Sequence, residues 1–405
     1  RPGIAPGFVG RYTLQFAVDD ARLMLPYLAF AGPVTVMMAL LNAQGRFVLT
    51  AFSPLLFNIA LIAVMAVLLV RQQDPVQAAL VMAATIGVAG FLQLSMLALR
   101  GAKLAAPLRV SFDPEMRGFL GRAVPGMVAS GAPQWLMVAG AVIASTSPSA
   151  VSWLYFANRL LELPLGIVGV AMGTVLIPEM TRAVRGGEQS AIAHAESRAL
   201  ELAAGLALPA TLGLMVLSGP IVRMLFEHGA FTAEDSAATA QALTWLTLAL
   251  PAHVLVKALS PAFFAREDTL TPLFATLKAI VVAIAAAFLL GHIFGASGIA
   301  AGIAFGAWSN ALALIRKGAT TFGFSIDAAA RRRLPRILAA ALAMGALLWL
   351  AETALPAAGA HGFVQAASLV VLIAAGIAGY GLLLQLFGVA GWREAVNAVR
   401  QRRPA

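Results

Sequence analysis

The chain alternates between long apolar runs and short polar breaks. Apolar spans lie at about 22–43, 49–70, 77–99, 123–146, 151–181, 199–226, 236–265, 273–295, 297–315, 337–353 and 363–388. Most are near the roughly 20 residues that a helix needs to cross about 30 Å of hydrocarbon. Ten-residue segments of alternating polarity are absent, which excludes an outer-membrane barrel. The pattern predicts an all-α polytopic membrane protein of about eleven transmembrane helices, with its chain ends on opposite sides.

The span 151–181 breaks the pattern, because Arg159 and Glu162 lie well inside it. A charge at membrane depth costs between roughly 3 and 15 kcal/mol, depending on how it is measured, so these side chains should face a polar interior. Residues three and four apart share a helix face, which puts Tyr155, Arg159, Glu162 and Gly166 on one stripe with Asn158 beside Glu162. An arginine fork suits bidentate phosphate or carboxylate, so an anionic head group is the natural ligand, with Glu162 orienting or releasing the guanidinium. The competing reading is an intrahelical ion pair that only fixes packing. Pro164 predicts a bend just past the pair, and Gly169 with Gly173 predicts close approach of a neighbouring helix. Lys278, near the end of its span, reads as a side chain reaching toward the interface, whereas Lys257, about two turns from the end of its span, reads equally well that way or as a functional charge at depth.

Composition agrees with a membrane protein: 60% of residues are hydrophobic and 11% charged, against roughly 45–50% and 25% in soluble domains. There is no cysteine, so disulfides and thiolate metal sites are excluded. The net charge of +10 comes from short loops. Twenty Lys and Arg lie in alternate loops and the C-terminal tail, against Arg1, Arg11 and Arg71 on the other side. Orientation bias explains this better than nucleic-acid binding, and it places the C-terminus in the cytoplasm. The basic 100–125 loop reads as an anchor to anionic lipid. The histidines show no i,i+4 metal pairing, and no paired acids, nucleophile elbow or phosphate loop appears, so no cofactor and no enzymatic activity are expected. The segment around 25–56 weakly resembles that around 248–274, a repeat typical of secondary transporters. With the orientation, it suggests three further helices ahead of Arg1.

Several blocks carry a family resemblance: APGF at 5–8, LPY at 25–27, LNAQGRF at 41–47, SWLYFANRLLELPLGIVGVAMGTVLIPEM at 152–180, LSGPIVRMLFEHGAFT at 217–232 and VKALSPAFFAREDTLTP at 256–272. The sequence resembles the MurJ (MviN) lipid II flippase family of the multidrug/oligosaccharidyl-lipid/polysaccharide exporter superfamily. The resemblance implies helices four to fourteen of a fourteen-helix, two-lobe exporter in the bacterial inner membrane. Residues 1–122 would then be a remnant of the N-terminal lobe, 123–315 the C-terminal lobe, and 316–405 a basic linker, two extra helices and a cytoplasmic tail. It implies translocation of lipid II, an undecaprenyl-pyrophosphate glycopeptide, by alternating access for cell-wall synthesis. Arg159 and Glu162, with Asn158 and Tyr155, fall on the family's cavity helix, where the arginine engages pyrophosphate. Partners would be lipid II, membrane lipid and proteins of cell-wall synthesis, around a monomer. Some members bind sodium near the seventh, eleventh and twelfth helices; the matching spans here contain no Asp or Glu, so no metal is expected. The alternative is an exporter of another anionic lipid-linked oligosaccharide, or of drugs, on the same fold.

Overall fold

The protein is represented by a computed structural model that describes residues 12–44, 46–101, 113–147, 149–171, 180, 182–183, 186–324, 326–354 and 363–389. The 5–8 block, Gly173, residues 102–112 of the 100–125 loop and the basic tail lie outside the described residues. All regular structure among the described residues is helical. Eight helices there are long and apolar enough to cross a membrane, or nine if the pair bent by 57° at Gly131 counts as one span. The chain divides between Asp113 and Pro114 into two compact units.

The first unit contains α1 (Tyr12–Met24), α2 (Pro26–Ala43), α3 (Phe47–Arg71) and α4 (Pro75–Gly101). Helix α4 packs against the other three. Its Gly90 lets the Tyr27 ring lie where a Cβ would stand, 2.6 Å away. Val34, Leu41 and Leu97 form a small buried cluster. Gln93 donates to the Ser53 carbonyl at 2.8 Å, and Thr50 to Asn42 at 2.7 Å. Such bonds tie helices together where lipid tails remove any apolar drive for association.

The second unit contains α5 (Pro114–Ser130), α6 (Ala132–Ala144), α7 (Ala150–Ala171), α8 (Gln189–Val216), α9 (Ser218–Phe226), α10 (Ala233–Thr247), α11 (Ala249–Phe264), α12 (Leu270–Phe322), α13 (Ala328–Ala354) and α14 (Phe363–Leu386). Helix α12 is two legs joined at Gly295, whose φ of 59° and ψ of −136° suit glycine alone. The legs fold back on one another through Gly298, Gly302 and Gly306. A Cβ on Gly298 would strike the Leu290 carbonyl, one on Gly302 the Ala287 backbone, and one on Gly306 the Ala283 Cβ at 2.6 Å. Four-residue spacing puts the three glycines on one face, so the backbones close without side chains between them. The sequence reading divided this segment at the same residue and passed over the glycine repeat.

Around this hairpin, α5, α6, α10 and α11 pack closely, α7 packs on α10 and α11, and α8 lies between α11 and α13. Leu136, Leu154, Leu243, Leu246, Phe263 and Leu314 fill the interior. Helix α13 begins at Ala328, well ahead of the apolar run that starts near 337. Asp327 accepts from the Ala330 N–H at 2.7 Å and so starts the helix within the arginine-rich segment. Arg266, in the turn before α12, lies 4.0 Å over the Phe322 ring and 3.8 Å from the buried Glu196 carboxylate.

Candidate functional site

Helix α7 owes its orientation to unequal faces. Leu154, Ala157, Leu160, Leu161, Leu165 and Val168 are buried. Ser152, Tyr155, Arg159, Glu162 and Gly166 line the exposed side. The four residues singled out from the sequence therefore share one helix face. Arg159 Nη1 donates to Glu162 Oε2 at 2.8 Å, and Asn158 Nδ2 donates to Glu162 Oε1 at 3.1 Å. Both carboxylate oxygens are engaged, and the remaining guanidinium N–H groups are free to donate elsewhere. Tyr155 lies one turn earlier, 61% exposed, with its ring edge-on to Phe156.

The ion pair is not buried among packed helices: the Arg159 and Glu162 side chains are 70% and 43% exposed. The helix runs through Pro164 to Ala171. At Gly169 the close neighbour is a side chain, because Lys257 Nζ of α11 would lie 3.3 Å from a Cβ there. Gly169 continues the Arg159–Glu162–Gly166 stripe. Lys257 thus brings a second cation to the charged face of α7, about 15 Å along the helix from Arg159 at 1.5 Å per residue. The sequence alone leaves Lys257 open between this position and the interface. A lone lysine inside the apolar run 249–264 carried the same signal of charge at depth that singled out Arg159.

The far end of α7 is clasped by residues that sequence reasoning left unassigned. Trp153 Nε1 donates to Asp235 Oδ1 at 2.8 Å. Asp235 also closes a capping box with Thr232 at the start of α10. Phe156, Phe226 and Phe231 pack their rings at 4.9–6.0 Å around this joint. The clasp holds α7 in rotation and so keeps Arg159 on the exposed face. Among the described residues, no group of three or more His, Asp or Glu side chains could hold a metal ion.

These features define a polytopic helical membrane protein whose central helix presents a hydrogen-bonded ion pair on an open face. A family model described as "Lipid II flippase MurJ" matches residues 3–370. The chain belongs to this family. A probable lipid II flippase MurJ of Rhizobium meliloti (strain 1021) is 36% identical over 397 residues, covering 96% of this chain and 74% of that protein. One from Rhizobium tropici is 32% identical over 412 residues, covering 99% and 77%. A lipid II flippase MurJ of Burkholderia cenocepacia is 30% identical over 307 residues, covering 74% and 59%. A solved structure titled "Lipid II flippase MurJ, inward closed conformation" superposes with a TM-score of 0.70 at 21% identity, over 92% of this chain and 74% of that one. At that identity the likeness speaks for the fold.

Proposed function

We propose that this protein is a flippase that carries lipid II across the bacterial inner membrane, with Arg159 as the group that receives the pyrophosphate. The observation that carries the reading is the open Arg159–Glu162 pair on α7, in a chain whose relatives are named lipid II flippases. Glu162, itself held by Asn158, keeps the guanidinium in place before substrate arrives, so less rotamer freedom is lost on binding. A diphosphate then takes the free fork of the arginine in paired charge-assisted hydrogen bonds. Lys257, further along the stripe, offers a compact second charge to the same anion as it moves. Tyr155 borders the site on the other side, where a hydroxyl and a ring face suit a sugar.

Work of transfer is divided by polarity. The prenyl chain stays in hydrocarbon, because each CH₂ drawn into water costs about 0.8 kcal/mol. Only the head group crosses, through a polar path lined by the α7 stripe. In this reading residues 1–122 belong to one rocking lobe, 123–315 to the other, and 316–405 to a basic linker, two lipid-facing helices and a cytoplasmic tail. The excess of Lys and Arg in alternate loops supports a cytoplasmic C-terminus.

The test uses the intact protein in cells depleted of their own lipid II flippase. Arg159→Ala is expected to insert normally and to stop lipid II from reaching the outer leaflet, measured by its accessibility to an added lipid II-cleaving enzyme. Unchanged translocation by the inserted variant overturns the role of Arg159.

A further inference from the structure

The α7 stripe runs past the Arg159–Glu162 pair in both directions, and its two ends differ in chemistry. On one side Lys257 stands at Gly169. On the other, Tyr155 and Ser152 are exposed on the same face. Among the described residues neither hydroxyl has a hydrogen-bond partner. A hydroxyl held away from water needs one, so the stripe offers two free hydroxyl groups beside its arginine.

The Tyr155 ring is a rigid surface. It meets Phe156 edge-on, with centroids 5.7 Å apart at 76°. Phe156 is held in turn by Phe226 at 4.9 Å and by Phe231 at 5.4 Å. The four rings form one assembly, and Tyr155 is its outermost member. A T-shaped contact covers at most one face of a ring, and Tyr155 is 61% exposed, so its other face is open. An aromatic that only anchored the helix at the membrane surface would face lipid. Tyr155 instead shares its face with Arg159 and Glu162, charges that hydrocarbon does not tolerate.

We infer that Tyr155 is the platform for the sugar bonded directly to the diphosphate, and that it selects glycosylated prenyl diphosphates over the bare lipid. The inference rests on the reading of Arg159 as the group that receives the diphosphate. One helical turn separates the two residues, about 6 Å at 1.5 Å per residue. The first sugar of a glycosyl diphosphate is bonded to the phosphate itself, so a phosphate on Arg159 brings that ring to Tyr155, the one exposed aromatic of α7. The C–H face of the sugar packs on the open ring face, and its hydroxyl groups exchange hydrogen bonds with Tyr155 and Ser152. A bare diphosphate sets nothing on the platform and forgoes these contacts. The head group thereby acquires a direction along α7: its sugar lies toward the start of the helix, and the prenyl-bearing phosphate toward Lys257.

The experiment is native mass spectrometry of the intact protein in detergent, titrated with lipid II and, separately, with undecaprenyl diphosphate, which has the same tail and diphosphate and no sugar. Wild type is expected to bind lipid II more tightly. Tyr155→Ala should lower the ratio of the two affinities about tenfold or more, and Tyr155→Phe, which keeps the ring and loses the hydroxyl, about two- to tenfold. Both variants replace an exposed side chain, so both should unfold at the wild-type temperature. An unchanged ratio in Tyr155→Ala overturns the inference, as does equal binding of the two lipids by wild type. Arg159→Ala separates this inference from the reading beneath it, because both ligands carry the diphosphate and should weaken together. If both weaken while the ratio in Tyr155→Ala stays at the wild-type value, the sugar platform fails and the diphosphate reading stands. If neither weakens, the diphosphate reading fails and the inference fails with it.

Discussion

Replacing Arg159 with alanine separates transport from stability, and the structure sets the size of both effects. The Arg159–Glu162 bond is short at 2.8 Å, but its side chains are 70% and 43% exposed. An exposed pair at this helical spacing contributes about 0.3–0.5 kcal/mol, roughly a twofold change in a folding equilibrium. Had the pair been a buried packing element, removing one partner would strand a charge and cost about 3–5 kcal/mol. Arg159→Ala should therefore leave the melting temperature of the purified protein close to wild type. Transport should fall much further, because losing a bidentate charge-assisted contact of about 1.5–3 kcal/mol is roughly a 10- to 150-fold effect. Arg159→Lys, which keeps the charge and loses the fork, should fall between the two. The assays are thermal unfolding in detergent and appearance of lipid II on the outer leaflet. A destabilisation of about 3 kcal/mol or more, with transport reduced only in proportion to folded protein, would falsify the assignment and make the pair a packing element.

Other perturbations test other parts of the structure. Gly302→Val drives a side chain into the Ala287 backbone, so it should cost at least the 1–3 kcal/mol typical of overpacking and lower the yield of folded protein. Gly379→Ala, with open space around its Cβ, should stay within about 0.5 kcal/mol of wild type; equal behaviour of the two would refute the hairpin packing. Trp153→Phe removes one donor to Asp235 and leaves the capping box intact, whereas Asp235→Ala removes both. Melting temperatures should therefore rank wild type, Trp153→Phe, Asp235→Ala, and a reversed order would show that the indole bond does not anchor α7. Lys257→Met should slow lipid II transport about five- to tenfold through loss of one charged contact. It should not lower the melting temperature, since a half-buried ammonium gives way to an apolar chain; unchanged transport would remove Lys257 from the path.

Much of this protein was legible in one dimension because a bilayer imposes one-dimensional rules. Each span must satisfy its own backbone hydrogen bonds, so apolar length alone marked out helices such as α3, α4 and α14. The helical repeat alone places Tyr155, Arg159 and Glu162 on one face, since that relation lies within a single helix. Family membership followed from blocks such as 152–180, where residue identity carries more than hydropathy.

Relations between helices needed the tertiary structure. Periodicity marks a face without saying what lies against it, so only packing could show the Arg159–Glu162 pair open at the surface of its unit. Lys257 and Gly169 are far apart in sequence and meet because α11 packs on α7. Trp153 finds Asp235 in the same way, across the chain. The Gly298–Gly302–Gly306 face became meaningful once the turn at Gly295 folded α12 back on itself. The apolar cavity of about 400 Å³ is the clearest case, for its walls come from α7, α8, α9, α13 and α14, and no single segment contains it. The sequence by itself determined which segments are apolar helices and which faces carry charge, because those follow from local hydrogen bonding and helical repeat. Which of those charges face open space and which meet a partner was decided only when side chains from distant segments competed for the same volume.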